Sequence, residues 1–111
     1  MIQPIPKRLL PHKAIYKEYL GNTGEGDEWS NDISLSFIKI EKKLQFRVNN
    51  NGRELVGNAR MYYDLVNSTG LTKEPVVDSK VIFEGHEYKI VDFESLCPDN
   101  SRPHHYEVIL K

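Results

Sequence analysis

The stretch KVIFEGHEYKIVDF, residues 80–93, reads as two strand-like runs, Lys80–Phe83 and His86–Phe93, joined by only Glu84 and Gly85. A two-residue connection ending in glycine is the pattern of a hairpin with a primed turn. Such a turn needs positive φ, which glycine adopts without steric cost; Glu is a weaker first residue there than Asn or Asp. Beyond this hairpin, SLCPDNSRP at 95–103 reads as a turn, and Tyr106, Val108 and Leu110 alternate with Glu107 and Ile109 in a closing strand.

The same period of two recurs toward the N-terminus. His12–Tyr19 alternates loosely around Ile15, Tyr16 and Tyr19, and GNTGEGDEW at 21–29 then interrupts it as an acidic, solvated turn. Ile33, Leu35 and Phe37 alternate with Ser34 and Ser36, after which the apolar phase moves to Ile38 and Ile40. One extra residue in a strand produces such a shift, so a β-bulge is expected near Phe37. Leu44, Phe46 and Val48 keep period two up to Asn49, Asn50, Asn51 and Gly52, a run poor in strand and helix propensity that reads as a loop tip. Glu54–Gly57 is extended, Met61, Tyr63 and Leu65 alternate with Tyr62, Asp64 and Val66, and NSTGLTKEPVVDS at 67–79 is a connection that needs no helix.

No stretch of ten or more residues keeps helical apolar spacing without Pro or Gly intruding. The expected class is therefore all-β: a small single-domain β-barrel or sandwich of about six to seven short strands, with an extended N-terminal arm and a long polar loop. A chain of 111 residues is one domain's worth, so residues 1–111 form a single unit with the arm at 1–11 and the projecting loop at 49–54. With 39% hydrophobic and 28% charged residues, disorder, collagen-like structure and membrane spanning are excluded as classes.

The net charge of -1 hides an uneven distribution. Residues 1–20 carry a net +3, residues 21–32 carry -4 (Glu25, Asp27, Glu28, Asp32), residues 33–60 carry +4, and the remainder carries -4. Such blocks are either solvated strand faces or opposed patches on a repeating assembly. In the arm, Pro4, Pro6 and Pro11 exclude a helix, while Ile2, Ile5, Leu9 and Leu10 need cover, so the arm either wraps its own domain or docks on a neighbour. The N-terminal residues lack the apolar run of a signal peptide and nothing approaches the ~18 apolar residues of a membrane span; the expectation is a protein without a membrane partner that stays where it is made.

Little in the chain suggests chemistry. His104 and His105 are adjacent, which on a strand sends their rings to opposite faces, and Cys97 beside them lacks the paired ligands of a zinc site. Neither GNTGEG nor NNNG sits in a strand–turn–helix phosphate loop, and no nucleophile–base motif surrounds Cys97. The expectation is no catalytic residue, no metal and no cofactor. Tyr and Phe interleaved with Lys and Arg leave a small single-strand nucleic-acid-binding β-barrel as an alternative, although a barrel core consumes aromatic residues first.

Three runs carry a resemblance when taken together: PIPKRLLPH at 4–12, LVGNARMYYDLVNSTGL at 55–71, and VIFEGHEYKIVD at 81–92 with HHYEVILK at 104–111. The chain resembles the minor capsid proteins of tailed bacteriophages infecting Gram-positive hosts, within the wider group of head–tail connector and head-completion proteins. The resemblance implies a non-enzymatic virion protein in the neck, synthesised in the host cytoplasm, that forms a ring with copies of itself, by family analogy a dodecamer. Its implied partners are the portal or adaptor protein above, a tail-completion or terminator protein below, and the packaged double-stranded DNA. A chain without helices suits the stopper better than the helical adaptor; a tail-completion or terminator ring is the close rival. On that reading Asn49, Asn50, Asn51, Gly52, Arg53 and Glu54 are the candidate gate in the channel, Arg47 or Arg53 approaches DNA phosphate, and Ile2, Ile5, Leu9 and Leu10 form the candidate docking arm. The same NNNG run is otherwise a plain hairpin tip.

Overall fold

The computed structural model describes residues 4–96 and 104–111. Among them lie eight strands: β1 His12–Lys17, β2 Tyr19–Asn22, β3 Asp27–Trp29, β4 Ile33–Asn49, β5 Gly52–Asp64, β6 Lys80–Phe83, β7 His86–Leu96 and β8 His105–Leu110. Six of these close into a barrel in the order β1-β4-β5-β8-β7-β6, with every neighbouring pair antiparallel. Pairing β6 with β1 completes the ring and removes the open edges that a flat sheet would expose. Alternation does the rest: in β8, Tyr106, Val108 and Leu110 are buried while His105, Glu107 and Ile109 are only half-covered. The interior is filled by Tyr16, Leu35, Ile38, Met61, Val81, Ile90, Val108 and Leu110, aliphatic side chains of this size being worth about 1.5–3 kcal/mol each when buried.

The hairpin at 80–93 forms as expected. Glu84 has φ 50° and Gly85 φ 77°, the two positive values of a primed turn. A Cβ at Gly85 would meet nothing within 4 Å, so Gly85→Val isolates the conformational cost. It should destabilise the chain by about 1–2 kcal/mol in equilibrium denaturation, and a neutral result would contradict the turn. The bulge also falls where expected. His12 pairs with Ile38 and Lys13 with Ser36, leaving Phe37 over, with φ 56°. The bulge is braced from outside the barrel, since Ser36 and Thr69 exchange two backbone hydrogen bonds of 3.0 Å and the Ser68 hydroxyl donates to the Phe37 carbonyl.

Three expectations are corrected. The strands are not all short, because β4 runs for 17 residues and β5 for 13, so that the segments 44–48 and 54–57 are the two sides of one hairpin and the long loop expected at 49–54 is only the turn Asn50–Asn51 between paired strands. The acidic stretch at 21–29 is not merely a turn. Its glycines at 21, 24 and 26 take positive φ and let β2 fold back on β3 as a separate two-stranded hairpin. The arm is not wholly extended, because Lys7–Leu9 makes one 3-10 turn, closed by Leu9 N–H on the Pro6 carbonyl at 2.9 Å and Leu10 N–H on that of Lys7 at 3.0 Å. Four consecutive donors between Pro6 and Pro11 suffice for one such turn.

The arm lies against its own barrel. Asp64, fully buried, accepts hydrogen bonds from the N–H groups of Ile5 (3.0 Å), Val66 (3.0 Å) and Asn67 (2.7 Å), and Asn67 Nδ2 donates to the Ile5 carbonyl at 2.7 Å. Leu10 is 1% exposed and Ile5 half-buried, whereas Leu9 remains 49% exposed; Ile2 lies outside the described residues. No helix among the described residues is long and apolar enough to cross a membrane.

Candidate functional site

β4 and β5 outrun the barrel. The pairing of β8 with β5 ends at Ala59, and that of β1 with β4 ends at Ile38, but β4 and β5 continue to pair with each other through Phe46–Leu55, Arg47–Glu54 and Val48–Arg53 to Asn49–Gly52. The result is a two-stranded ribbon standing off the wall. It leaves the barrel through two register shifts, one between Lys42 and Gln45 and one between Gln45 and Phe46, the kind of irregularity that bends and twists a strand pair. The radius of gyration, 14.7 Å, exceeds the roughly 13 Å of a compact chain of this length.

The shifts also exchange the faces. Ile38 and Ile40 point into the core, but after the first shift Gln45 is the buried residue, and Leu44, Phe46 and Val48 are 62%, 45% and 79% exposed. One face of the ribbon thus presents Phe46, Val48 and Leu55 with Arg53, whose guanidinium lies 4.4 Å from the centre of the Phe46 ring. The other face carries Arg47 opposite Glu54. At the tip the Asn49 side chain accepts the Asn51 N–H at 2.8 Å, and Gly52 takes φ 109°, which ends the reversal.

A polar chain anchors the root. Gln45 Nε2 donates to the Ala59 carbonyl at 2.7 Å and its Oε1 accepts from Arg60 Nε at 2.9 Å. Arg60 in turn pairs with Glu107 at 2.8 Å, and the other Glu107 oxygen lies 3.3 Å from His105 Nε2. Gly57 permits the crossing, since a Cβ there would stand 2.4 Å from Ile109 Cγ2 and 3.1 Å from the Leu110 carbonyl. Gln45, Arg60 and Glu107 were not singled out in the sequence; their one signal is a Gln set between apolar neighbours in LQF.

The candidate gate residues Asn49–Glu54 therefore lie together at the ribbon end, and Arg47 and Arg53 occupy opposite faces. The structure does not bring the arm to them, because the arm is held at the Asp64 end of β5 and the tip begins at Gly52, its other end. Beside the arm, Ile5, Leu9 and Leu10 line a shallow cleft with Lys39, Glu41 and Tyr62. The Lys39 ammonium, hydrogen-bonded at 2.9 Å, holds the Glu41 carboxyl below the usual carboxylate range.

Tyr16, Tyr63, Phe83, Tyr88 and Tyr106 are consumed by the barrel interior and offer no face for stacking bases. Among the described residues no three His, Cys, Asp or Glu side chains converge as a metal-ligand group, and Cys97 lies outside them. A family model described as Minor capsid protein matches residues 6–110, from the arm through the ribbon to the closing strand. No curated protein and no solved structure matches the chain significantly.

Proposed function

The chain belongs to the minor capsid protein family, and from that premise we propose that it forms a ring in the head–tail connector, below the portal and adaptor, that closes the filled head and receives the tail. Its role as a structural protein of the phage virion follows from the family. The observation that supports the finer reading is the ribbon: a strand pair ending in Asn49–Gly52, carried by a closed barrel that needs no further strand to complete it. When many copies surround one axis, polar tips of this kind meet at high effective concentration and obstruct DNA by steric means, with no bond made or broken. Arg47, which has no ion-pair partner among the described residues, is the cation placed to meet phosphate, because Arg53 is held over Phe46.

Replacing residues 47–54 by Asn-Gly leaves Phe46 and Leu55 flanking a two-residue turn and removes residues whose strand pairing is with each other, together with the Arg53 contact on Phe46. The barrel should fold as before while most filled heads lose their DNA, measured by nuclease protection of packaged genomes. Heads that stay sealed would reject the gate. Imaging of intact particles should place the chain in the neck; an isolated copy elsewhere on the shell would reject the ring.

A further inference from the structure

The ribbon is rich in cations that form no ion pair, although Arg47 faces Glu54 across the strands and Lys43 lies near enough to Glu41 to lower its pKa. Lys42, Lys43, Arg47 and Arg53 are exposed, and none has a carboxylate within ion-pair distance among the described residues. The β2–β3 hairpin is its counterpart. Glu25, Asp27 and Glu28 are exposed there and none has a cation partner. Asp27 accepts hydrogen bonds from the Tyr19 hydroxyl (2.9 Å) and Asn22 (3.4 Å) and shares a cleft with Lys80, Lys89 and Lys111, whereas Glu28 accepts only from Thr23 (3.1 Å), a contact that orders the carboxylate without neutralising it. Beside them Leu20 is 55% exposed, an apolar match for Phe46, Val48 and Leu55.

Within one chain the two elements are rooted at opposite ends of β6 and form no ion pair with each other among the described residues. The hairpin is fixed at the start of β6, where Trp29 Nε1 donates to the Asp78 carbonyl at 3.0 Å, Tyr19 N–H donates to Ser79 Oγ at 2.8 Å and Lys80 Nζ stands 3.9 Å above the Trp29 ring. The ribbon root lies at the other end of β6, where Lys42 and Asn58 share a cleft with Phe83, Glu84 and His86. We propose that the basic, apolar face of the ribbon, Phe46, Val48, Arg53 and Leu55 with Lys43 at its root, docks on the acidic β2–β3 hairpin of a second copy of this chain. Such a contact joins two different surfaces, leaves both free ends available for further copies, and generates a ring when the rotation closes. It deepens the ring reading given above and rests on it, while Arg47, on the opposite face, stays clear of the interface.

The test uses the full chain and two charge-reversed variants, Lys43→Glu/Arg53→Glu on the ribbon and Glu25→Lys/Glu28→Lys on the hairpin, followed by sedimentation at low and high salt. The wild-type chain should self-associate and weaken with salt, each variant should associate at least about tenfold more weakly, and an equimolar mixture of the two should recover association because each now complements the other. Recovery in the mixture also shows that both variants are folded. A wild-type chain that stays monomeric at about 1 mM, whether or not it binds a DNA duplex, would overturn the pairing, as would variants that associate like wild type or a mixture of folded variants that does not recover. Salt-sensitive association by a chain found outside the neck would discard the neck and keep the pairing; monomers from a chain seen in the neck would do the reverse.

Discussion

Asp64→Ala is expected to lower stability by about 3–5 kcal/mol, a large fraction of what a domain of this size possesses. The carboxylate receives the N–H groups of Ile5, Val66 and Asn67 from inside a fully buried position. Alanine would leave all three donors without their acceptor at a part-buried junction, and each such loss costs about 1–3 kcal/mol, least at Val66, which is exposed. The effect should reach the arm as well, because Ile5 is one of the three, and protease cleavage near residues 7–10 should accelerate. Asp64→Asn keeps one acceptor oxygen and should fall between. Urea unfolding of the two variants decides; a loss below about 1 kcal/mol for alanine would show that the arm is not held in this way.

Gly70→Ala is the second large effect. Its φ of 124° is costly for any L side chain, and a Cβ would stand 2.4 Å from the Ser34 carbonyl oxygen and 2.6 Å from Leu35 Cδ2. Backbone cannot swing aside as a flexible side chain can. The segment would have to lift off β4, taking with it the Ser36–Thr69 hydrogen bonds that brace the bulge at Phe37. A loss of about 3 kcal/mol or more is expected, against the smaller one for Gly85→Val, where only the dihedral is at stake. Equal losses at the two glycines would refute the close approach.

What was legible in the sequence was local. The Glu84–Gly85 turn is written in two adjacent residues, the bulge in the phase change between Phe37 and Ile38, and the strand class in alternation that needs no knowledge of partners. The ribbon was not legible for a specific reason. Leu44, Phe46 and Val48 continue the even-numbered apolar phase of Ile38 and Ile40, so nothing in the order of residues reports that the backbone has changed faces between Lys42 and Gln45. A sequence keeps its period whether or not a core remains to cover it. Asp64 was hidden differently: as one polar residue in an alternating run it looks exposed, and beside its local donors Val66 and Asn67 it takes a third from the arm, 59 positions away. Of the candidate site, the position of Asn49–Glu54 at a turn was readable, and the length of the strands that carry them was not.

Because β4 and β5 each run as one strand from the barrel wall, through the register shifts at Gln45, to the ribbon end, the tip is not an independent appendage. The seven residues from Lys43 to Asn49 make a rod of about 23 Å. A load applied at Asn50 would arrive as torque at the root where Gln45, Arg60 and Glu107 are joined.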